Sequence, residues 1–111
     1  LTIYGDGSQT RSFCYVDDLI DAMILFMNSP STLVGPINVG NPDEFTISEL
    51  AAATIALSDS TSAIQHFELP RDDPKQRKPD IQIARRELMW SPNVALEEGL
   101  ARTISYFKGI L

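Results

Sequence analysis

Apolar residues recur in this chain in short bursts, and their spacing switches between the two-residue period of a strand and the longer period of a helix. Leu1 to Tyr4 and Arg11 to Val16 are β-prone runs separated by a loop that carries Gly5 and Gly7, which suits a turn between two strands or extended segments. Asp17 or Asp18 can then cap a helix in which Leu19, Met23, Phe26 and Met27 recur at helical spacing until Asn28-Ser29-Pro30 stops it. Pro36 to Pro42 has an apolar centre between Gly, Pro and Asn residues, and predicts a short strand over Ile37 to Val39 with a turn on each side. Thr46-Ile47-Ser48-Glu49 is a capping box, in which hydroxyl and carboxylate satisfy amides that a helix start leaves unpaired. The helix that follows runs to about Leu57, with Ile47, Leu50, Ala51, Thr54 and Ile55 facing inward.

Ile64 to Leu69 predicts a strand of alternating exposure, and Asp72 to Asp80 a loop. Asp80 can cap a short helix through Leu88, broken at Trp90-Ser91-Pro92. The last helix covers about Ala95 to Lys108, with Leu96, Leu100, Ile104 and Phe107 as its buried stripe. Short strands with about four helices make an α+β-like unit in isolation, and an α/β protein if the chain was cut from a larger α/β enzyme. The chain opens on Leu1 within a run that already reads as strand, so we expect a fragment of a longer protein.

Charge changes the picture most. The molecule is acidic, with a formal net charge of -6. Yet of its 9 Lys and Arg residues, Arg71, Lys75, Arg77, Lys78, Arg85 and Arg86 fall in one short window. A polyanion such as nucleic acid is repelled by the whole, while a few arginines can fork onto a small diphosphate or carboxylate. Composition otherwise matches a soluble globular domain, with no apolar run near the ~20 residues that span a bilayer. Cys14 and His66 are the only residues of their kind, which excludes an internal disulfide or thiolate metal cluster and argues against a zinc site. Cys14 reads as a small strand residue, and Asn38, Gly40 and Asn41 as turn geometry.

Four segments carry a resemblance: Leu1 to Phe13, Tyr15-Val16-Asp17-Asp18-Leu19, Asn38-Val39-Gly40-Asn41-Pro42, and Asp72-Asp73-Pro74 through Arg77-Lys78-Pro79-Asp80 to Leu88-Met89-Trp90-Ser91-Pro92. Together they resemble the C-terminal part of the extended short-chain dehydrogenases that act on nucleotide sugars, the NAD-dependent epimerase/dehydratase family. Arg77-Lys78-Pro79 resembles the branch that decarboxylates UDP-glucuronate. The resemblance implies an α/β fold: the substrate-binding portion of an extended Rossmann enzyme whose N-terminal NAD-binding core is missing. Residues 1–111 would be the nucleotide-sugar-binding part, with 17–42 packed on the absent Rossmann layer. The intact enzyme would use NAD, take a UDP-sugar, form a homodimer and work in the cytoplasm. No Gly-x-x-Gly-x-x-Gly is present, and Tyr4, Tyr15 and Tyr106 all lack a lysine four residues on. The chain alone is therefore expected to bind no NAD and to be inactive.

The same resemblance implies the site. Arg11, beside Gln9, would hold the UDP diphosphate, and Thr2 and Tyr4 would meet the uracil. Arg77 would be the catalytic residue, next to the sugar carboxylate. A guanidinium suits orienting that group better than giving it a proton, since its pKa lies above ~12. Asp73, Lys75 and Lys78 read as solvated or structural. Met89 stands where the family usually has Gly, so the residue must turn left-handed or the helix must end differently. The alternatives are a dTDP-glucose 4,6-dehydratase or UDP-sugar 4-epimerase, whose neutral sugar does not require Arg77, and a non-catalytic acidic interaction domain.

Overall fold

A computed structural model describes residues 1–74 and 76–111. Eight elements follow one another: β1 (Thr2–Tyr4), β2 (Thr10–Ser12), α1 (Val16–Met27), β3 (Glu44–Thr46), α2 (Ile47–Ser58), β4 (Gln65–Phe67), α3 (Gln82–Glu87) and α4 (Leu96–Ile110). The strands form two separate ribbons. β1 pairs with β4 in parallel, and β2 pairs with β3 antiparallel, placing Arg11 opposite Phe45 and Ser12 opposite Glu44.

The loop between β1 and β2 turns on glycine. Gly7 has φ +80°, strained for any other residue, and a Cβ there would lie 2.0 Å from Ser48 Oγ and force that hydroxyl to move. That close approach lets the loop carbonyls of Gln9 and Gly7 accept the amides of Ile47 and Ser48, while Thr46 Oγ1 accepts the amide of Glu49 at 3.0 Å. The first turn of α2 is thus capped by the β1–β2 loop carbonyls as well as by the Thr46 hydroxyl, the half of the expected capping box that the structure shows.

The core is small: Ala22 of α1, Ile81, Ala84 of α3, Leu88 and Trp90, with Leu33, Ile37 and Val39 packed on its edge. Asp18 ties it together. Its main-chain carbonyl accepts from Trp90 Nε1 at 3.0 Å, and its buried carboxylate accepts the Val94 amide at 2.9 Å. Met89, between α3 and Trp90, adopts φ +54°, a conformation that costs a non-glycine residue about 1–2 kcal/mol. The Trp90 amide then reaches back to the Ala84 carbonyl, which sets the indole into the core.

Several sequence expectations are corrected. Neither Asp17 nor Asp18 caps α1: the cap residue is Tyr15, without a side-chain bond, and the Asp18 carboxylate is drawn to Val94 instead. Ile37 to Val39 is not a strand, because no extended neighbour pairs with it among the described residues, and its apolar side chains pack on the core edge. β4 shows no alternation, since all three of its residues are exposed. In α4 the one buried position is Gly99, against the Tyr15 ring, and Phe107 is half exposed. β3, which the sequence reading did not assign, supplies the partner of β2.

The result is an open body. Its radius of gyration is 16.5 Å, where a compact domain of this length has about 13 Å. Its accessible surface is 7886 Å², against about 6,100 Å² for a compact protein of this mass.

Candidate functional site

A groove of about 780 Å³ runs between β2 and the basic loop. Arg11, Ser12 and Cys14 line it from one segment, Ile37 to Asn41 from a second, and Arg77 to Asp80 from a third. Two of the predicted residues, Arg11 and Arg77, meet there. Among the lining residues Arg11, Arg77 and Lys78 face a single acid, Asp80, whose carboxylate accepts the Gln82 amide at 3.1 Å at the start of α3. In a protein of net charge -6, this groove is where an anion finds cations.

Arg11 is held rather than free. Its Nη1 donates to the Thr10 carbonyl at 2.7 Å and its Nη2 to Asp73 Oδ1 at 2.7 Å, with the two side chains 20% and 30% exposed. A guanidinium carries five N–H donors, so these two bonds fix its plane and leave three for a ligand. Asp73, read from the sequence as solvated or structural, is thus the partner that orients Arg11. The signal in the sequence was the acid pair Asp72-Asp73 directly before the cations, but nothing local said which cation it would meet. Arg77 is exposed and has no ion pair among the described residues. Its carbonyl accepts from Ser12 Oγ at 3.5 Å, at the outer limit of such a bond. Lys78 lines the groove too, whereas Lys75 lies outside the described residues.

The other predicted residues sit elsewhere. Thr2 and Tyr4 are exposed on β1, with the Tyr4 ring tilted beside Phe67 at 6.3 Å between centroids, and neither lines the groove. Gln9 is buried, and its Nε2 donates to the Tyr4 carbonyl at 2.7 Å. Its carboxamide therefore braces the loop that joins β1 to Arg11. Cys14 is half-buried at the groove edge. Burial, and then the charge of Asp18, push its thiol pKa up, so it stays protonated at neutral pH. His66 is exposed, with Nδ1 2.8 Å from the Gly5 carbonyl. Among the described residues no three His, Cys, Asp or Glu side chains gather to hold a metal ion, and no helix is long and apolar enough to cross a membrane.

Comparison with known proteins gives a consistent set of likenesses. A profile described as "Epimerase: NAD dependent epimerase/dehydratase family" matches residues 1–40. The UDP-glucuronic acid decarboxylase 1 of Danio rerio is 50% identical over 107 residues, covering 96% of this chain and 25% of that protein. The UDP-glucuronic acid decarboxylase 1 of Arabidopsis thaliana is 45% identical over 108 residues, covering 97% of this chain and 24% of that protein. The chain thus spans about a quarter of the length of these relatives. Among solved structures, a UDP-glucuronic acid 4-epimerase from Bacillus cereus, in complex with UDP-glucuronic acid and NAD, superposes with a TM-score of 0.91 at 31% identity. It is covered over 36% of its length and this chain over 100%.

Proposed function

Since this chain belongs to the NAD-dependent epimerase/dehydratase family, we propose that it is the nucleotide-sugar-binding part of a UDP-glucuronate decarboxylase, which converts UDP-glucuronate to UDP-xylose and carbon dioxide. The observation that carries the reading is the meeting of Arg11 and Arg77 in one groove. A substrate with a diphosphate at one end and a carboxylate at the other needs two separated cations, and a neutral hexose needs one.

In this reading Arg11, oriented by Asp73 and the Thr10 carbonyl, spends its remaining donors on the diphosphate. Thr2 and Tyr4 meet the uracil at the β1 end, where an aromatic face can stack on the base. Gln9 keeps the two ends in register through the Tyr4 carbonyl. Arg77 turns the sugar carboxylate for cleavage of the bond to the ring. Carbon dioxide leaves uncharged and the bonding pair stays on the ring, so the guanidinium, protonated throughout, orients the carboxylate and does not supply the proton that the ring carbon takes up.

The chain's own residues do not fit NAD: its glycines form no dinucleotide fingerprint and its tyrosines no Tyr-x-x-x-Lys pair. The reading places the dinucleotide on a further Rossmann region against which residues 17–42 pack, in a cytoplasmic homodimer. A second reading, 4-epimerisation of UDP-glucuronate, is favoured by the Bacillus cereus structure, whose substrate also carries the carboxylate. The products separate the two: UDP-xylose and carbon dioxide, or a UDP-uronic acid epimer.

The two arginines should fail differently in the full-length protein that carries this sequence. The diphosphate is unchanged by reaction, so Arg11→Ala should raise KM for any UDP-sugar, and Kd for UDP itself, roughly 10-fold or more. Arg77→Ala should leave UDP affinity nearly unchanged and lower kcat by roughly 10- to 100-fold, with poor rescue by Lys, which lacks the planar fork. If Arg77→Ala weakened UDP binding as much as Arg11→Ala and left kcat intact, the decarboxylase reading would fall.

A further inference from the structure

Arg77 presents a positioning problem. It is exposed, it has no ion pair among the described residues, and its own main-chain bond to Ser12 is long at 3.5 Å. A flexible cation on a loop cannot by itself select one end of a substrate, because ordering its side chain costs entropy each time. Something must hold the peptide that bears it.

The residues on either side provide that hold. Gln76, immediately before Arg77, donates from Nε2 to Glu44 Oε1 at 2.9 Å. Glu44 is itself fixed, since it stands in β3 opposite Ser12 and also accepts from Thr10 Oγ1 at 3.4 Å. Two residues after Arg77, the Pro79 ring lies against Gly40, so close that a Cβ on Gly40 would be 3.0 Å from its Cγ. The segment carrying Arg77 is pinned before it and after it. Glu44 neither lines the groove nor offers a cation to an anion.

Resting on the function proposed above, we propose that Glu44 is a positioning residue: through its hydrogen bond to Gln76 it holds Arg77 at the sugar end of the groove and so sets discrimination between acidic and neutral UDP-sugars. The β2–β3 ribbon then places both cations, Arg11 directly in β2 and Arg77 at second hand through Glu44 in β3. Sequence motifs that contain only the two arginines do not reveal this dependence.

The test is affinity for UDP, UDP-glucose and UDP-glucuronate by calorimetry on the full-length protein that carries this sequence. Glu44→Ala should leave UDP affinity within about twofold and cut the preference for UDP-glucuronate over UDP-glucose roughly fivefold, the worth of one ordinary hydrogen bond. Gln76→Ala, which removes the same bond from a loop residue outside the core, should reproduce that loss. Glu44→Gln, which still accepts from Gln76, should restore most of the preference. The proposal is overturned if Glu44→Ala and Gln76→Ala leave the preference unchanged, or if they weaken all three ligands alike. Arg77→Ala serves as the reference. If it too leaves the preference intact, the carboxylate role of Arg77 fails; if it abolishes the preference while Glu44→Ala does not, only the positioning role of Glu44 fails.

Discussion

The groove side of the molecule and the α1 side are built on opposite terms. Around the groove, polar groups answer one another at short range: Arg11 with Asp73, Gln76 with Glu44, Gln9 with the Tyr4 carbonyl, Asp80 with the Gln82 amide. No buried side-chain nitrogen or oxygen lacks a partner among the described residues. On the other side α1 buries only Asp18 and Ala22, while Ile24 is 50%, Met23 53% and Met27 80% exposed. A polar group needs only one or two partner atoms, so the polar groups around the groove can be satisfied in a chain of this size. Apolar area is satisfied only by a second layer, and this molecule exposes roughly 1,800 Å² more than a compact protein of its mass.

The largest expected effect comes from breaking the joint between the two sides. Trp90 is 4% exposed and packs with Ala22 of α1, and Ile37 and Val39, which also line the groove, sit on the edge of the same cluster. Trp90→Ala removes a large buried side chain and also leaves the Asp18 carbonyl without its indole donor, so we expect a loss of about 3–5 kcal/mol in urea unfolding. A loss below ~1 kcal/mol would mean that the two sides do not share a core. Asp18→Asn is the milder break: it keeps a side-chain acceptor for the Val94 amide and should cost less than Trp90→Ala.

A smaller effect separates the sides. Apolar side chains of α1 that are half exposed in the chain alone gain about 1 kcal/mol each when covered, so the 111-residue chain should self-associate through them. Sedimentation or light scattering should give a mass that rises with concentration, and Met23→Glu with Ile24→Glu should bring it toward the monomer while leaving the Arg11–Asp73 pair undisturbed. A monomer mass independent of concentration for the unmodified chain would count against this account.

The same contrast explains what could be read from the sequence. The end of α1, both ends of α2, the Thr46 cap and the inner face of α2 were legible because helix periodicity and capping chemistry act over three or four residues, whereas the start of α1 was misread because Asp18 is drawn to Val94. Arg11 and Arg77 were found through a family resemblance, and the groove that unites them is a fact of tertiary structure. The Arg11–Asp73 pair spans 62 positions and Gln76–Glu44 spans 32, distances over which no local pattern informs. Strand assignments fared worst, since a three-residue strand is defined by its partner. Ile37 to Val39 had the composition of a strand and no partner among the described residues, while β3, with weaker composition, had β2 beside it. At Met89 the sequence posed the choice between a left-handed residue and another helix end, and the chain takes the former.

The smallest expected effect tests whether the groove side is a sum of local bonds. Thr46 closes β3 and caps α2, its hydroxyl accepting the Glu49 amide at 3.0 Å, while the Ile47 and Ser48 amides already have the Gln9 and Gly7 carbonyls. Thr46→Ala therefore orphans a single amide at a solvent-accessible helix start and should cost about 1 kcal/mol in urea unfolding, with Thr46→Ser within about 0.5 kcal/mol of the parent. Exchange of the Glu49 amide should speed up while that of Trp90 follows only the global change, and the self-association of α1 should be untouched. Glu44 stands two residues before Thr46 on the same strand, so the cap and the hold on Arg77 share a support. A loss of ~3 kcal/mol or more on Thr46→Ala would mean that β3 gives way with its cap, and that the groove is a cooperative unit rather than a set of separable bonds.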